Sequence, residues 1–308
     1  MIRLNDLTIG YGRRILLQHA SATIPAGELV ALVGRNGTGK STLLRAIAGL
    51  GERLGGEIRL DGHSLETLSP QQLATTVSFV TTERVRIPNL RCEDVVALGR
   101  APYTNWIGRV QEQDKAIVER SLELVGMAAF AGKTMDRMSD GECQRVMIAR
   151  ALAQDTPIIL LDEPTSGLDP LMQERFLDLV AEERARGAAV LLSSHIFEEV
   201  GRACDRVAFI RAGRVAMTCT MDEVRLMRGR GYSVEFSSAA ERSRWELAHG
   251  AEPAEGDACG VELGDVRDVN ALIRELSSYD VASVTSREQT LEELFLHLYE
   301  GVELSRQS

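Results

Sequence analysis

A glycine-rich loop at residues 34–41 is the part of the sequence whose residue types most clearly indicate chemistry. It fits the pattern G-x-x-x-x-G-K-[ST], with Gly34, Gly39, Lys40 and Ser41 at the fixed positions. Glycines let successive backbone N–H groups converge on phosphate oxygens, and a following helix adds its positive N-terminal end. The lysine of this pattern reaches the β- and γ-phosphates, and the hydroxyl helps to hold Mg²⁺. The other residues that we expect at a bound nucleoside triphosphate are Asn36, Gly37, Thr38 and Thr42.

Two neighbouring carboxylates, Asp162 and Glu163, follow a short apolar run at residues 157–161. A buried strand there would deliver both acids to the C-terminal edge of a parallel sheet, where ligands bind in open α/β folds. Asp162 can hold Mg²⁺ through water, and Glu163 can orient and polarise the attacking water. Taken alone, the pair could also be a strand cap and a solvated acid. Together with the loop, it predicts hydrolysis of a triphosphate.

The elements that must position these residues follow from hydrophobic periodicity. Strands that alternate with helices predict an α/β domain with a mainly parallel sheet. An antiparallel sheet is expected at 2–9 and 15–24, and a mostly helical region at about 88–155 with a helix that begins at 140. The predicted core strands are 28–34, 157–161 and 189–194, and the predicted helices between them include 40–49, 111–125 and 170–186.

After about residue 217 the pattern changes, so we predict a small α/β appendage at 218–308. Residues 232–236 alternate and are predicted to form an edge strand. A helix at 266–278, a strand at 281–285 and a final helix around 291–298 are expected to follow. The appendage could cap the last strand of the main domain or regulate it, and it contains no ligand-binding pattern.

Four ordered motifs resemble those of ATP-binding-cassette (ABC) proteins over roughly residues 1–217. Residues 138–145 resemble the signature usually written LSGGQ, and residues 162–169 resemble the Walker B motif and D-loop in one run. Residues 193–195 resemble the H-loop, and Tyr11 resembles the aromatic that stacks on adenine. Taken singly, His195 could be a polar residue at a strand end, and Tyr11 a surface aromatic.

The resemblance implies a P-loop NTPase fold and a head-to-tail dimer of two copies of the chain. Each ATP would lie between the loop of one copy and the signature of the other, so that Ser139 and Gly141 act in trans on the γ-phosphate. His195 would contact the γ-phosphate, and Asp169 would couple the two sites. The resemblance also implies transmembrane permease subunits as partners, and a cytoplasmic protein held peripherally at the cytoplasmic face of the inner membrane.

Two departures from the family pattern concern charge and metal. Thr82 takes the position of a glutamine that senses Mg²⁺, and its hydroxyl has a shorter reach, so water or Glu83 would have to assist. Asp140 and Glu142 replace the glycine and glutamine of the signature. Negative charge close to a phosphate should weaken ATP-driven closure, unless it points away or meets a cation.

The branch of the family is ambiguous. Residues 71–155 resemble ATPases of importers for iron–siderophore, haem or cobalamin, whereas residues 162–215 and the tail at 289–297 resemble exporter ATPases of the drug, lipid or antibiotic type. A natural or constructed hybrid would explain both. We favour import, with a substrate-binding protein as a further partner. The surface that recognises the permease is expected to lie in the helical region, and that region is the importer-like part. Residues there that could form a groove, or simply pack, are Tyr103, Trp106 and Arg109.

Composition and sequence pattern argue against several other classes of protein. The net charge of −10 argues against nucleic acid as a partner, and the five scattered cysteines argue against a disulfide framework or a zinc site. We expect no signal peptide and no membrane-spanning run. Cassette proteins of DNA repair carry long coiled coils, but no heptads are sustained between Lys40 and Asp162. Those of translation carry two cassettes, and this chain shows one. A non-catalytic regulatory cassette is the remaining alternative.

Overall fold

The computed structural model describes residues 1–81, 88–104, 111–227, 230–249, 259–263, 266, 268–288 and 292–294. The predicted metal residue Thr82, with Glu83, Trp106 and Arg109, lies outside these ranges. The chain divides into two compact units, Met1–Met221 and Asp222–Ser308, which are described separately. None of the helices in the described ranges has both the length and the apolar character that crossing a bilayer requires.

The first unit contains strands and helices that alternate along the chain. Its described strands are β1 (Ile2–Tyr11), β2 (Arg14–Ile24), β3 (Leu29–Val33), β4 (Arg53–Leu60), β5 (His63–Ser64), β6 (Val77–Val80), β7 (Ile158–Asp162), β8 (Ala189–Ser193), β9 (Arg206–Arg211) and β10 (Arg214–Thr220). Its described α-helices are α1 (Lys40–Ile47), α2 (Pro70–Thr76), α3 (Cys92–Ala97), α4 (Glu112–Leu124), α5 (Asp140–Gln154), α6 (Pro170–Ala185) and α7 (Phe197–Ala203). Short 3₁₀ turns lie at Leu65–Thr67, Leu98–Tyr103, Ala128–Phe130 and Met135–Arg137.

A six-stranded sheet in the order β10-β9-β3-β8-β7-β6 forms the centre of this unit. All its neighbouring pairs are parallel except β9 and β10. Every residue of β3, β7 and β8 is buried, as expected for parallel strands covered on both faces. The prediction of a mainly parallel sheet is confirmed. Its register places Ser193 beside Leu32 on one side and Asp162 on the other, so three strand ends meet at one edge.

The predicted antiparallel sheet is also present, in the order β2-β1-β4-β5. Helix α1 contacts β1 of this sheet as well as β7 and β8 of the central sheet. Its buried residues Leu43, Leu44 and Ile47 belong to the same hydrophobic core as residues of both sheets. Because the glycine-rich loop leads directly into α1, this packing fixes the loop to the core of the unit.

Helices α3, α4 and α5 pack against one another and form the predicted helical region. A buried ion pair, Arg100 Nε to Asp114 Oδ1 at 2.9 Å, joins the 3₁₀ turn after α3 to α4. The same guanidinium donates to the carbonyl of Ala153 at 2.8 Å. Breaking such a buried pair by removing one partner typically costs ~3–5 kcal/mol. Polar as well as apolar contacts therefore join the 3₁₀ turn after α3 to α4 and to the C-terminal end of α5.

The second unit contains a three-stranded antiparallel sheet in the order β12-β11-β13. Its described elements are α8 (Met221–Met227, which starts at the last residue of the first unit), β11 (Arg230–Phe236), α9 (Ala239–Ala248), β12 (Gly260–Leu263), α10 (Val269–Leu276) and β13 (Val281–Glu288). Of the predicted final helix, only residues 292–294 are described, and they are helical.

The prediction that residues 232–236 form an edge strand is wrong. They belong to β11, which is paired on both sides. Tyr232, Val234 and Phe236 are buried and pack with Trp245 and Leu272 in a separate core. Alternation reports that one face of a strand is buried, and the central strand of a one-sided antiparallel sheet meets that condition too.

Candidate active site

The loop after β3 requires glycine at two positions for different reasons. A side chain at Gly34 would place its Cβ 2.7 Å from the carbonyl oxygen of Ile210, too close for any larger residue. Gly39 has a φ of 98° at the N-cap of α1, a conformation that other residues rarely adopt. The chain therefore turns sharply from the central strand into the helix, and the N–H groups of the first turn of α1 lie at the loop.

The side chain of Lys40 folds back over this loop. Its ammonium group donates to the carbonyl oxygens of Gly34 at 2.7 Å and Arg35 at 3.3 Å. Burial lowers the pKa of Lys40, and the negative charges of Glu163 and Asp162 oppose that shift. The loop thus holds a desolvated cation whose partners are backbone carbonyls.

Ser41 and Asp162 come together although 121 positions separate them in the chain. The Ser41 hydroxyl donates to Asp162 Oδ1 at 3.0 Å. The Ser193 hydroxyl donates to the same oxygen at 2.6 Å. Asp162 is only 1% exposed, so these contacts fix its carboxylate. The result is a small group of oxygen atoms directly below the loop, which is the ligand type that Mg²⁺ prefers.

Glu163 follows immediately and has a φ of 45°, which is uncommon for a residue other than glycine. Its N–H contacts both the carbonyl oxygen of Ser193 at 3.0 Å and the hydroxyl of Ser193 at 3.1 Å. His195 Nδ1 lies 3.6 Å from Glu163 Oε1, and the two side chains are 57% and 27% exposed. The backbone of Glu163 is therefore anchored, while its carboxylate and the imidazole face a partly open space.

The structure also shows the contacts of Tyr11, Asp169 and Thr38. The Tyr11 hydroxyl lies 3.3 Å from Thr42 Oγ1, and the tyrosine is 56% exposed. Asp169 caps α6, because its Oδ1 accepts from the N–H of Met172 at 3.0 Å. Thr38 makes a local bond, from its hydroxyl to the carbonyl of Arg35 at 2.8 Å.

The signature segment forms the N-terminus of α5. Ser139 is the N-cap of that helix and accepts from the N–H of Glu142 at 3.2 Å. A Cβ at Gly141 would lie 2.8 Å from the carbonyl oxygen of Gly167, so only glycine allows this approach. Within the described ranges, no hydrogen bond or ion pair joins Ser139 or Gly141 to residues 34–41 of the same chain.

Ser193 and Glu199 are two residues of the site to which sequence reasoning gave no role. Glu199 is buried in α7, where its Oε2 accepts from Thr165 at 3.0 Å and from Ser194 at 3.3 Å. It therefore links the segment before Asp169 to the one that carries His195. The signal in the sequence was weak, because Glu199 is one of two adjacent acids and only its spacing of four from His195 sets it apart.

Burial raises the pKa of Glu199, and its Oε1 is buried without a partner. When a carboxyl has a higher pKa in the folded chain than in the unfolded chain, the protonated form is favoured by folding. The free energy of unfolding therefore decreases as pH rises from the pKa of the unfolded chain through that of the folded chain. We expect Glu199→Gln to raise the Tm at pH 7.5 by ~2–4 °C, the shift that about 1 kcal/mol gives in a unit of this size. The neutral amide keeps one oxygen for both hydroxyls and removes the buried charge.

Differential scanning calorimetry at several pH values between about 5 and about 8 measures this effect, because the raised pKa of Glu199 makes the stability of the wild type fall as pH rises. The gain from Glu199→Gln should be smaller at lower pH, because a raised pKa favours the protonated, uncharged form of the wild-type carboxyl there. Glu198→Gln, at the exposed neighbouring position, is the matched control and should not show this pH dependence. A Tm gain for Glu199→Gln that is the same at both ends of the range would contradict the assignment.

Comparison with known proteins agrees with this site. The family model described as ABC transporter matches residues 17–166. A hemin import ATP-binding protein from Nocardia farcinica is 42% identical over 209 residues, which cover 67% of this chain and 71% of that protein. An uncharacterized ABC transporter ATP-binding protein from Methanocaldococcus jannaschii is 38% identical over 218 residues, which cover 70% of this chain and 74% of that protein.

The fold also matches a solved nucleotide-bound cassette. A structure described as a dimeric post-hydrolysis state of an ATP-binding cassette, bound to ADP and Pi, superposes with a TM-score of 0.65 and 27% identity, covering 72% of this chain and 99% of that one. The chain therefore belongs to the ABC transporter family. It is an ATP-binding and ATP-hydrolysing cassette subunit, as its sequence predicts.

Proposed function

We propose that the chain binds Mg²⁺ and ATP at residues 34–41 and hydrolyses the ATP within a head-to-tail dimer of two copies. In this role it powers transport through a separate transmembrane permease, at the cytoplasmic face of the membrane. The observation that carries the proposal is the convergence of Ser41, Asp162 and Glu163 at the edge of the sheet beside the loop. Glycine-rich loops and acids are each common, but this arrangement places a phosphate-binding loop next to a carboxylate that can direct water.

The oxygen atoms below the loop fit Mg²⁺. Ser41 would hold the ion directly and Asp162 directly or through water, and phosphate oxygens would complete the shell. The described part of the chain contains no group of three or more His, Cys, Asp or Glu side chains that could hold a metal, which is consistent with a site that depends on the nucleotide. When bound, Mg²⁺ neutralises negative charge on the phosphates. Thr82 stays a predicted third contact.

The residues of the chain have distinct roles in this proposal. Lys40 exchanges its bonds to Gly34 and Arg35 for bonds to the β- and γ-phosphates. Glu163 orients the attacking water and accepts its proton, since its backbone is held by Ser193 while its carboxylate is partly open. His195, 3.6 Å from that carboxylate, contacts the γ-phosphate.

A second copy supplies the remaining contacts. Ser139 and Gly141 sit at the N-terminus of α5, where helix N–H groups and the helix dipole favour an anion. Because no bond within the described chain joins them to its own loop, we propose that they close over the γ-phosphate held by the other copy. In this dimer, Asp169 is proposed to couple one ATP site to the other.

The transported substrate class is proposed from the relatives. A similar protein is named a hemin import ATP-binding protein, and others a petrobactin import and an iron(3+)-hydroxamate import ATP-binding protein. We propose import of a haem-like or siderophore-like iron chelate, delivered to the permease by a substrate-binding protein. The exporter-like residues 162–215 support the alternative of an export ATPase. Co-expression with permeases of both types tests direction, and stable association with an exporter permease alone would contradict import.

Tyr11 provides a test of how the base is held. We expect Tyr11→Ala to weaken ATP binding about threefold to tenfold, because aromatic stacking contributes ~0.5–1.5 kcal/mol. Tyr11→Phe should bind almost as tightly as the wild type, since the ring remains and only the contact with Thr42 is lost. Isothermal titration calorimetry with ATP measures both. Equal affinity for the alanine and wild-type proteins would make Tyr11 a surface aromatic without a role at the nucleotide.

The enzyme prediction is tested by ATP turnover of the purified chain, alone and with its permease. We expect turnover that depends on Mg²⁺ and is lost in Glu163→Gln. Nucleotide binding without turnover under both conditions would leave a regulatory cassette.

A further inference from the structure

Glu142 is a negative charge at a place that should favour an anion. It lies three residues after Ser139 in the first turn of α5, so the two positions are separated by about 4.5 Å along the helix axis. That distance is shorter than the ~8 Å over which physiological salt screens charges. If a γ-phosphate docks at Ser139, as proposed above, an unbalanced carboxylate at position 142 would repel it.

Both oxygens of the Glu142 carboxylate have partners. Oε2 accepts from the N–H of Ser139 at 2.7 Å, which completes a capping box. Oε1 lies 3.4 Å from the ammonium group of Lys133. The bonds from Ser139, and then Lys133, lower the pKa of Glu142 despite its partial burial. The side chain is therefore an anion at neutral pH, held against its own helix end.

Lys133 is fixed in place by its backbone and by an aromatic ring. Its N–H donates to the carbonyl of Phe130 at 2.8 Å, and its carbonyl accepts from the N–H of Cys92 at 3.0 Å. Its ammonium lies 4.9 Å from the centre of the Phe130 ring. The side chains of Lys133 and Glu142 are only 33% and 18% exposed, so water screens their charges less than those of a surface pair.

We propose that Lys133 is a positioning residue for ATP-driven closure of the dimer: it holds and neutralises Glu142, so that the signature of one copy can accept the γ-phosphate of the other. Lys133 does not touch the phosphate in this proposal and acts through Glu142. The inference rests on the proposed head-to-tail site. It explains how the chain tolerates an acid where the family pattern has a glutamine.

The test is a double-mutant cycle in the Glu163→Gln background, in which bound ATP is not consumed. Dimer dissociation constants are measured by analytical ultracentrifugation at saturating ATP and Mg²⁺. Lys133→Met keeps the length of the side chain and removes its charge, while Glu142→Gln keeps an oxygen for the N–H of Ser139. We expect Lys133→Met to weaken the dimer about tenfold, because a two-fold dimer contains two such sites and a loss of about threefold at each multiplies to roughly that value.

Rescue distinguishes positioning from a merely structural role. Adding Glu142→Gln to Lys133→Met should restore dimerisation to within about twofold of the parent, and Lys133→Arg should retain it. If Lys133→Met weakens the dimer equally whether or not Glu142→Gln is also present, or does not weaken it, the inference is wrong. If the parent Glu163→Gln protein itself stays monomeric with ATP bound, the proposed function fails instead. Thermal melting of each variant without ATP shows whether folding is intact.

Discussion

Replacement of Glu163 by glutamine lowers ATP turnover by about 100-fold or more, while ATP binding is retained. The loss is expected because a positioned general base contributes ~10²–10⁴-fold to a rate, and an amide cannot accept the proton of the attacking water. Binding is retained because the Glu163 N–H, which anchors the residue to Ser193, is unchanged by the substitution. Steady-state phosphate release with a coupled assay gives the turnover, and calorimetry gives the affinity.

The control for this prediction is Glu198→Gln. Glu198 is an exposed acid three residues after His195, so it shares the electrostatic neighbourhood without a place in the proposed chemistry. It should turn over ATP within about twofold of the wild type. A Glu163→Gln protein with more than about a tenth of wild-type turnover would show that another group activates the water.

The second large effect is expected for Lys40→Met, which should weaken ATP binding by about 100-fold or more. Removing one partner of a buried, hydrogen-bonded charge pair typically costs ~3–5 kcal/mol, and the affinity changes tenfold for every ~1.4 kcal/mol. The methionine has a similar length and leaves the glycine-rich turn intact. Calorimetry with ATP measures the loss, and Lys115→Met, at an exposed lysine paired with Glu112, is the matched control.

The stability of Lys40→Met should move in the opposite direction. Because burial lowers the pKa of Lys40, the charged form is less favourable in the folded chain than in the unfolded one. This cost is fully present below the lowered pKa of Lys40 and falls as pH rises through it. We therefore expect the nucleotide-free variant to melt at the same temperature as the wild type or higher. A large drop in Tm would mean that Lys40 stabilises the folded loop itself, and that its role is not confined to binding phosphate.

The parts of the site that the sequence predicts are those encoded by local spacing. The loop, its helix and the two acids follow from short patterns, since Gly34, Lys40 and Ser41 act through a single turn of chain. The predicted start of a helix at residue 140 is equally local, and in the structure Ser139 and Glu142, three residues apart, cap that helix. Such features are readable because their geometry depends on neighbours in sequence.

The parts that sequence reasoning missed depend on register and on long-range packing. Ser193 reaches Asp162 only because β7 and β8 pair in one particular register. Glu199 matters because α7 brings it to Thr165, 34 positions earlier. Lys133 contacts Glu142 because the chain between them turns back, and hydrophobic periodicity does not predict such a turn. The edge-strand error for residues 232–236 has the same origin, since pairing partners are not visible in alternation.

The measurement that tests the central claim most directly is the molar mass of the Glu163→Gln protein by light scattering, with and without ATP and Mg²⁺. If two copies complete each other's sites, the protein should be a monomer without nucleotide or with ADP, and should have twice that mass with ATP. Adding Lys40→Met should abolish the shift. A protein that binds ATP and remains a monomer at concentrations well above those used for turnover would contradict the composite site.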